Sequence, residues 1–216
     1  MLLELLKQLG IIYILLIVTF LNSIFGLTWK QQTHRYIILL LSVFILNEII
    51  GVVCTLFFFT FKINFTITLF IHAILWLLIL KKSVRNPRIV TGLLIAFITF
   101  SLCDVFFIEG WELFNCYSFI LGAFIYLIVF LIESFYQLKQ ENFSFFFSNQ
   151  FILLMTPVLF FIGLTFMFGF KSHEVITTVF FGKIELYRII ILIVNIVYYT
   201  LLNIYIYREK KQVYDF

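Results

Sequence analysis

Residues 36–60, YIILLLSVFILNEIIGVVCTLFFFT, decide the fold of this chain. The one charged side chain in this stretch is that of Glu48, which lies about 12 residues from either end. A helix of about 20 predominantly apolar residues is long enough to cross the core of a bilayer. The stretch therefore predicts a membrane-spanning helix with a carboxyl group near the middle of the membrane.

Six further apolar runs occupy most of the remaining sequence. With residues 36–60 they give seven predicted spans, at 9–28, 36–60, 63–80, 89–108, 113–137, 150–170 and 186–207. The gaps between them are too short to fold separately, so residues 1–216 are predicted to be a single domain. We expect an all-α polytopic membrane protein with seven transmembrane helices.

The composition excludes a soluble protein. Hydrophobic residues make up 63% of the 216 positions and charged residues 12%, whereas a soluble domain has roughly 45–50% and about 25%. The net charge of +4 does not indicate nucleic-acid binding, because the basic residues flank the predicted spans. The bilayer is therefore the predicted partner.

The basic residues also predict how the chain is threaded. Ten Lys and Arg residues fall on the side of the C-terminus and five on the other side. Basic loops stay in the cytoplasm, so we expect the N-terminus outside and the C-terminus in the cytoplasm. The densest basic cluster lies in residues 81–88, between spans three and four.

Polar residues at membrane depth are the main functional candidates, because they are costly there and usually face the interior of the bundle. Glu48 follows Asn47 in span two, and His72 lies near the middle of span three. At about 1.5 Å per residue, Glu48 and His72 lie within roughly 6 Å of each other in depth. We expect these two side chains to form a hydrogen bond. The pair is either proton-sensitive or ligand-contacting, or it is a polar clamp that holds two helices together.

Other polar residues are predicted to join helices. Asn195 and Asn203 are eight residues apart in span seven, so they lie on nearly one face of that helix. Asn195 is included with the polar core candidates. Glu133 lies about one turn from the inner end of span five, and we expect its side chain to extend towards Lys139.

A second group of candidates lies near the outer surface, where spans four and five form a hairpin. Counting equal numbers of residues from the centre of this hairpin places Asp104 on span four at the same depth as Asn115 on span five. This depth is about 9 Å inside the outer boundary of the membrane. Arg188 begins span seven on the same side, and Trp111 lies in the hairpin. These four residues are predicted to form a small outward pocket for a ligand, or alternatively to be ordinary polar residues at helix ends.

No motif for catalysis is present, and the chain has no HExxH, GxSxG or phosphate-binding loop. We therefore predict no enzymatic activity, no catalytic residue, no metal site and no cofactor. Cys103 and Cys116 lie at matching depth, so a disulfide is conceivable in an oxidising compartment, although buried thiols are commoner in membrane helices.

The layout resembles small bacterial seven-helix membrane proteins that are similar to the membrane portion of sensor histidine kinases without the kinase domain. The features that carry the resemblance are Asn47, Glu48, Tyr126, Glu133, Phe161-Ile162-Gly163, Asn195, Tyr198 and the basic end at Arg208–Lys211. The resemblance implies location in the bacterial inner membrane and a signalling role with a separate kinase-like or other membrane protein as partner.

Three functions are weighed on this basis. A sensor-like module that responds to a small molecule, a lipid or the state of the membrane is preferred, because the spans are mostly unbroken. A small-molecule or ion transporter is less favoured, because no internal repeat or matching Gly/Pro interruption is found. The third alternative is an accessory subunit of a larger membrane complex.

Overall fold

The computed structural model describes residues 10–56, 62–110, 114–169, 179–180 and 184–214. These residues are almost entirely helical, which confirms the predicted all-α class. The helices are α1 (Ile11–Gly26), α2 (Gln32–Leu56), α3 (Lys62–Ser83), α4 (Pro87–Cys103), α5 (Cys116–Lys139), α6 (Phe143–Phe147), α7 (Asn149–Gly169) and α8 (Leu186–Tyr214). A π-helical turn, Asp104–Ile108, continues α4.

The described residues include one short β-ladder before α8. Strands β1 (Val179–Phe180) and β2 (Ile184–Glu185) pair antiparallel over two residues each. The apolar residues 175–181 are too few to span a bilayer, so the sequence predicts that they lie at the outer membrane interface; of these, only Val179 and Phe180 are among the described residues. The sequence also predicts a tight hairpin at residues 61–64 between spans two and three; residue 61 lies outside the described residues, and residues 62–64 form the start of α3.

Six helices in the described ranges are long and apolar enough to cross a membrane, which indicates a multi-pass membrane protein. The six candidate spans are Gln32–Cys54, Ile63–Ser83, Pro87–Ile108, Cys116–Lys139, Asn149–Gly169 and Leu186–Lys211. Helix α1 is apolar but has 16 residues, which gives about 24 Å at 1.5 Å per residue against a hydrocarbon core of about 30 Å. The seventh span therefore stays a prediction.

Short polar side chains within the helices bond to their own backbone, as a bilayer requires of a polar group without another partner. The hydroxyl groups of Ser42, Thr91, Thr99 and Thr156 each donate to the carbonyl four residues earlier. Helix α4 begins with Pro87 at its first turn, where the missing N–H removes no helical hydrogen bond. These residues are therefore compatible with uninterrupted spans.

Helix α3 lies at the centre of the bundle, since 56% of its most apolar segment is buried, compared with 22% of the corresponding segment of α4. It packs against α2 and α5, while α8 packs chiefly against α7 and α1. Close approach depends on glycine at two contacts. A methyl group at Gly122 would meet Phe97, and one at Gly163 would overlap Val194.

Large apolar side chains cover the outside of the bundle, which indicates contact with lipid. Residues on every long helix contribute, including Ile14, Leu46, Ile67, Ile95, Phe106, Phe107, Ile128, Phe135, Ile162 and Ile193. In the short helix α6, Phe145 is buried whereas Phe143 and Phe147 are exposed. The apolar run Phe143–Phe147 in the loop after span five predicts that this helix lies at the inner membrane interface.

Candidate functional site

His72 lies in the aromatic core of the bundle, where it is 1% exposed. The indole N–H of Trp76 donates to His72 Nε2 at 3.0 Å and also lies 3.2 Å from the hydroxyl oxygen of Tyr198. That hydroxyl lies 3.2 Å from His72 Nε2. Phe160 and Phe161 pack against the imidazole ring. His72 thus joins α3 to α8 inside a closely packed group of aromatic rings.

Glu48 is not the partner of His72, and this correction changes the predicted polar core. Its carboxyl group lies beside the Tyr13 hydroxyl on α1 and near Tyr199 on α8. The side chain is half-buried between these helices. Matching depth along two helices was not sufficient, because the direction of a side chain around its helix decides which neighbour it meets.

Asn47 makes the contact between α2 and α3 that was predicted for Glu48. Its side-chain oxygen accepts hydrogen bonds from the Asn64 amide at 2.7 Å and from the Thr68 hydroxyl at 3.1 Å. Consecutive helical residues point about 100° apart, so Asn47 faces α3 while Glu48 faces α1 and α8. The polar clamp between spans two and three is therefore an amide and hydroxyl contact.

The two asparagines of α8 have different roles. The Asn195 amide donates to the carbonyl of Ile191 in its own helix at 2.8 Å. The Asn203 amide donates to the Thr19 hydroxyl at 2.6 Å, and its oxygen accepts from the Asn22 amide at 2.8 Å. Asn203 thus connects α8 with α1, whereas the hydrogen bond found for Asn195 connects it with no other helix.

Asp104 is fully buried where the π-helical turn follows α4. Its Oδ2 accepts hydrogen bonds from the Ser118 backbone N–H at 3.0 Å and from the Ser118 hydroxyl at 2.5 Å. Asn115 is also buried, but its amide donates to the Gly110 carbonyl at 3.2 Å. Asp104 and Asn115, which the sequence pairs at one depth, therefore form no hydrogen bond with each other, although both contact Gly110.

The other members of the predicted outer pocket do not join this cluster in the described residues. The Arg188 guanidinium bonds to Glu185 at 3.1 Å and is 67% exposed, so it does not neutralise Asp104. Trp111 lies outside the described residues. Cys103 and Cys116 form no disulfide, because Cys103 is on the exposed side of α4 while Cys116 is buried at the start of α5.

The end of the bundle that holds the C-terminal part of α8 contains two contacts that were not predicted from the sequence. Glu133 is buried, and it accepts a hydrogen bond from the Arg85 backbone N–H at 3.1 Å and from the Gln137 amide at 2.8 Å. The Arg85 guanidinium lies 4.3 Å from the centre of the Tyr136 ring. Glu133 therefore fixes the basic loop between α3 and α4. The sequence had predicted that its side chain extends towards Lys139.

The second contact attaches the end of α8 to the rest of the bundle. Glu209 lies 3.4 Å from the Nε2 of buried His34 on α2, and its other oxygen accepts from the Asn149 amide at 2.6 Å. The His34 Nδ1 lies 3.2 Å from the backbone nitrogen, the carbonyl oxygen and the hydroxyl of Thr28. These contacts are charge-assisted and link α2, α7 and α8.

No protein-family model, curated protein or solved structure matches this chain.

The chemistry available to the described residues is hydrogen bonding and ion pairing. The described part of the chain holds no group of three or more His, Cys, Asp or Glu residues able to bind a metal ion. A narrow crevice between α2 and α3 is lined by Leu40, Val43, Phe44, Thr68, His72 and Leu75 and has no room for a water molecule. The interior at the level of His72 is therefore closely packed.

Proposed function

We propose that this chain is a sensor-like module of the bacterial inner membrane that acts through a separate membrane protein. In this proposal α1 is the seventh span, the N-terminus is outside and the C-terminus is cytoplasmic. The module responds to a small molecule, a lipid or the state of the membrane. Its partner is a kinase-like or other membrane protein, which reads the packing of the bundle through lateral contact.

The half-buried position of Glu48 carries the proposal. A carboxyl group at the middle of a bilayer costs a few kcal/mol and usually faces the interior of its protein. The Tyr13 hydroxyl lies beside the Glu48 carboxyl group, yet the Glu48 side chain is only half-buried. The neighbouring Leu46 and Ile49 are 58% and 55% exposed. A helix of another protein can reach this carboxyl group from the side.

The surrounding surface favours an interaction within the membrane. Val52 and Val53, one turn beyond Glu48, are 44% and 45% exposed. The exposed residues around Glu48 are apolar, and a polar group among them can bond to a donor on a second helix. The lateral face of α2, defined by Leu46, Glu48, Ile49, Val52 and Val53, is the proposed contact.

Transport receives less support from the same structure. A transporter needs a hydrated route to a binding site near the middle of the membrane. The crevice beside His72 does not hold a water molecule, and Asn47 is engaged with Asn64 and Thr68. An accessory subunit would use the same lateral face, so it stays the second candidate.

Co-purification from native membranes in a mild detergent tests the proposal. The wild-type chain is expected to retain one stoichiometric membrane partner, and Glu48→Gln to lose most of it because the amide keeps the shape but removes the charge. Asn195→Leu is the matched control, because the Asn195 side chain bonds only to Ile191 in its own helix among the contacts found. A wild-type chain that purifies alone, or equal retention by both variants, would contradict the proposal.

The sensor and accessory roles differ in their response to conditions. If the partner is purified with the chain and reconstituted in vesicles, a sensor changes the partner's activity when lipid composition or an added small molecule changes. An accessory subunit supports the same activity under all of these conditions. A constant activity would therefore favour the accessory role.

A further inference from the structure

The buried cluster around Asp104 has more hydrogen-bond acceptors than donors. Asp104 Oδ2 receives the Ser118 N–H at the third residue of α5, which is the donor that an N-cap side chain normally satisfies. Asn115 occupies the N-cap position but makes no side-chain cap hydrogen bond. The carboxylate of Asp104 has taken its place, so the Asn115 oxygen is left over.

Asp104 and Asn115 are held close together by Gly110, which has a φ of 83°. The Gly110 N–H donates to the Asp104 backbone carbonyl at 3.3 Å, and the Gly110 carbonyl accepts from the Asn115 amide at 3.2 Å. Gly110 therefore bonds to both residues, to Asp104 through its backbone carbonyl and to Asn115 through its side-chain amide. A positive φ of this size suits glycine, which fixes the turn that joins them.

Three oxygen atoms in this region have no hydrogen-bond partner among the described residues. They are Asp104 Oδ1, Asn115 Oδ1 and Ser101 Oγ, and their residues are 0%, 1% and 2% exposed. Ser101 and Asp104 are three residues apart, so they lie on one face of the helix. A buried polar atom without a partner is costly, more so when it is charged, and three such atoms together indicate a ligand.

The charge of the cluster selects the class of ligand. The carboxylate of Asp104 lies at the start of α5, where its Oδ2 accepts the Ser118 N–H. A helix N-terminus supplies about half a positive charge, which is less than one carboxylate carries. Since no described Lys or Arg side chain forms an ion pair with Asp104, a bound cation would correct the imbalance.

We propose that Asp104 Oδ1, Asn115 Oδ1 and Ser101 Oγ bind a small monovalent cation, with Na⁺ as the preferred ion. One carboxylate and two neutral oxygens suit a single positive charge, whereas Ca²⁺ takes six to eight oxygen ligands. Sites next to a π-helical turn are frequently functional, and the turn at 104–108 directs Asp104 into α5. This site goes beyond the proposed partner contact and does not depend on it.

The thermal stability of the full chain in detergent tests the site. Unfolding temperatures are measured in NaCl, LiCl, KCl and choline chloride at constant ionic strength. Na⁺ is expected to raise Tm saturably over choline, by roughly 5–10 °C at one hundred times its dissociation constant. Asp104→Asn should abolish this difference, whereas Glu185→Gln, which alters an exposed outer carboxylate, should leave it unchanged.

Two further variants keep the test decisive if Asp104→Asn does not fold. Ser101→Ala preserves the helix and should raise the half-saturating Na⁺ concentration. Asn115→Asp adds a second carboxylate and should make the chain sensitive to Ca²⁺. Equal Tm values in all four salts would overturn the proposal. A Tm that depends on pH and not on the salt would also overturn it, since the site would then hold a proton. So would a Na⁺ effect on Tm that Ser101→Ala leaves unchanged.

Discussion

Replacing Asn203 with leucine should weaken the attachment of α1 to the bundle. The Asn203 amide and oxygen bond to Thr19 at 2.6 Å and to Asn22 at 2.8 Å, both on α1. Hydrogen bonds between membrane helices contribute about 0.6 kcal/mol each on average, so the loss of two should cost about 1.2 kcal/mol. Thr19 keeps its hydrogen bond to the Leu15 carbonyl, so no large additional cost is expected.

The free energy of unfolding is measured in micelles that mix a mild detergent with sodium dodecyl sulfate. Asn195→Leu is the control in the same helix, because its side chain bonds to the Ile191 carbonyl within α8. Its effect should stay within about 0.5 kcal/mol. A double-mutant cycle between Asn22→Leu and Asn203→Leu should give a coupling of about 0.6 kcal/mol. Equal losses at 195 and 203, or a coupling near zero, would refute the reasoning.

Two other substitutions test the contact between α7 and α8 and the loop between α3 and α4. Gly163→Ala should lower the free energy of unfolding, because the added methyl group overlaps the stiff Val194 side chain at a cost of about 1–3 kcal/mol. This cost outweighs the gain in helix propensity of about 1 kcal/mol. The control is Gly92→Ala, where the methyl group meets nothing within 4 Å and only the gain is expected. Glu133→Ala removes the acceptor of the Arg85 N–H, so hydrogen exchange of that amide should accelerate roughly tenfold; an unchanged rate would contradict the assigned contact.

The positions of the helices could be predicted from the sequence because the length of an apolar run decides whether it can span a bilayer. Five predicted spans, from 36–60 to 150–170, correspond to long helices α2, α3, α4, α5 and α7, and 186–207 falls within α8. The first predicted span is represented by the shorter α1. Orientation across the membrane depends on the positive-inside rule alone and stays a prediction.

The partners of the polar residues could be predicted less well. A helix that is apolar on all sides has no polar face that would indicate its rotation about its own axis. The sequence therefore predicts how deep a residue lies in the membrane but not which neighbouring helix its side chain faces. Glu48 and His72 show the consequence, since the first faces Tyr13 and the second faces Trp76 and Tyr198. Asp104 and Asn115 were placed in one region correctly because a hairpin constrains both depth and proximity.

Contacts to the backbone were not accessible to sequence reasoning. Glu133 binds the N–H of Arg85, 48 positions earlier, and a backbone donor leaves no signature in residue type. The Glu209 contact to His34 joins residues near opposite ends of the chain. Its signal was the presence of a histidine in the first turn of α2 and a carboxylate within a basic tail, which a search for opposite charges at equal depth would have found.

Site-specific photo-crosslinking in native membranes tests the central claim most directly, that the chain acts through a partner at the lateral face of α2. A photoreactive phenylalanine analogue replaces Val52, four residues from Glu48, or Ile128 on α5, which is 52% exposed. We predict a protein adduct of one defined mass from position 52 that is lost with Glu48→Gln, and none from position 128. Adducts of the same pattern from both positions, or no protein adduct from position 52, would contradict the claim.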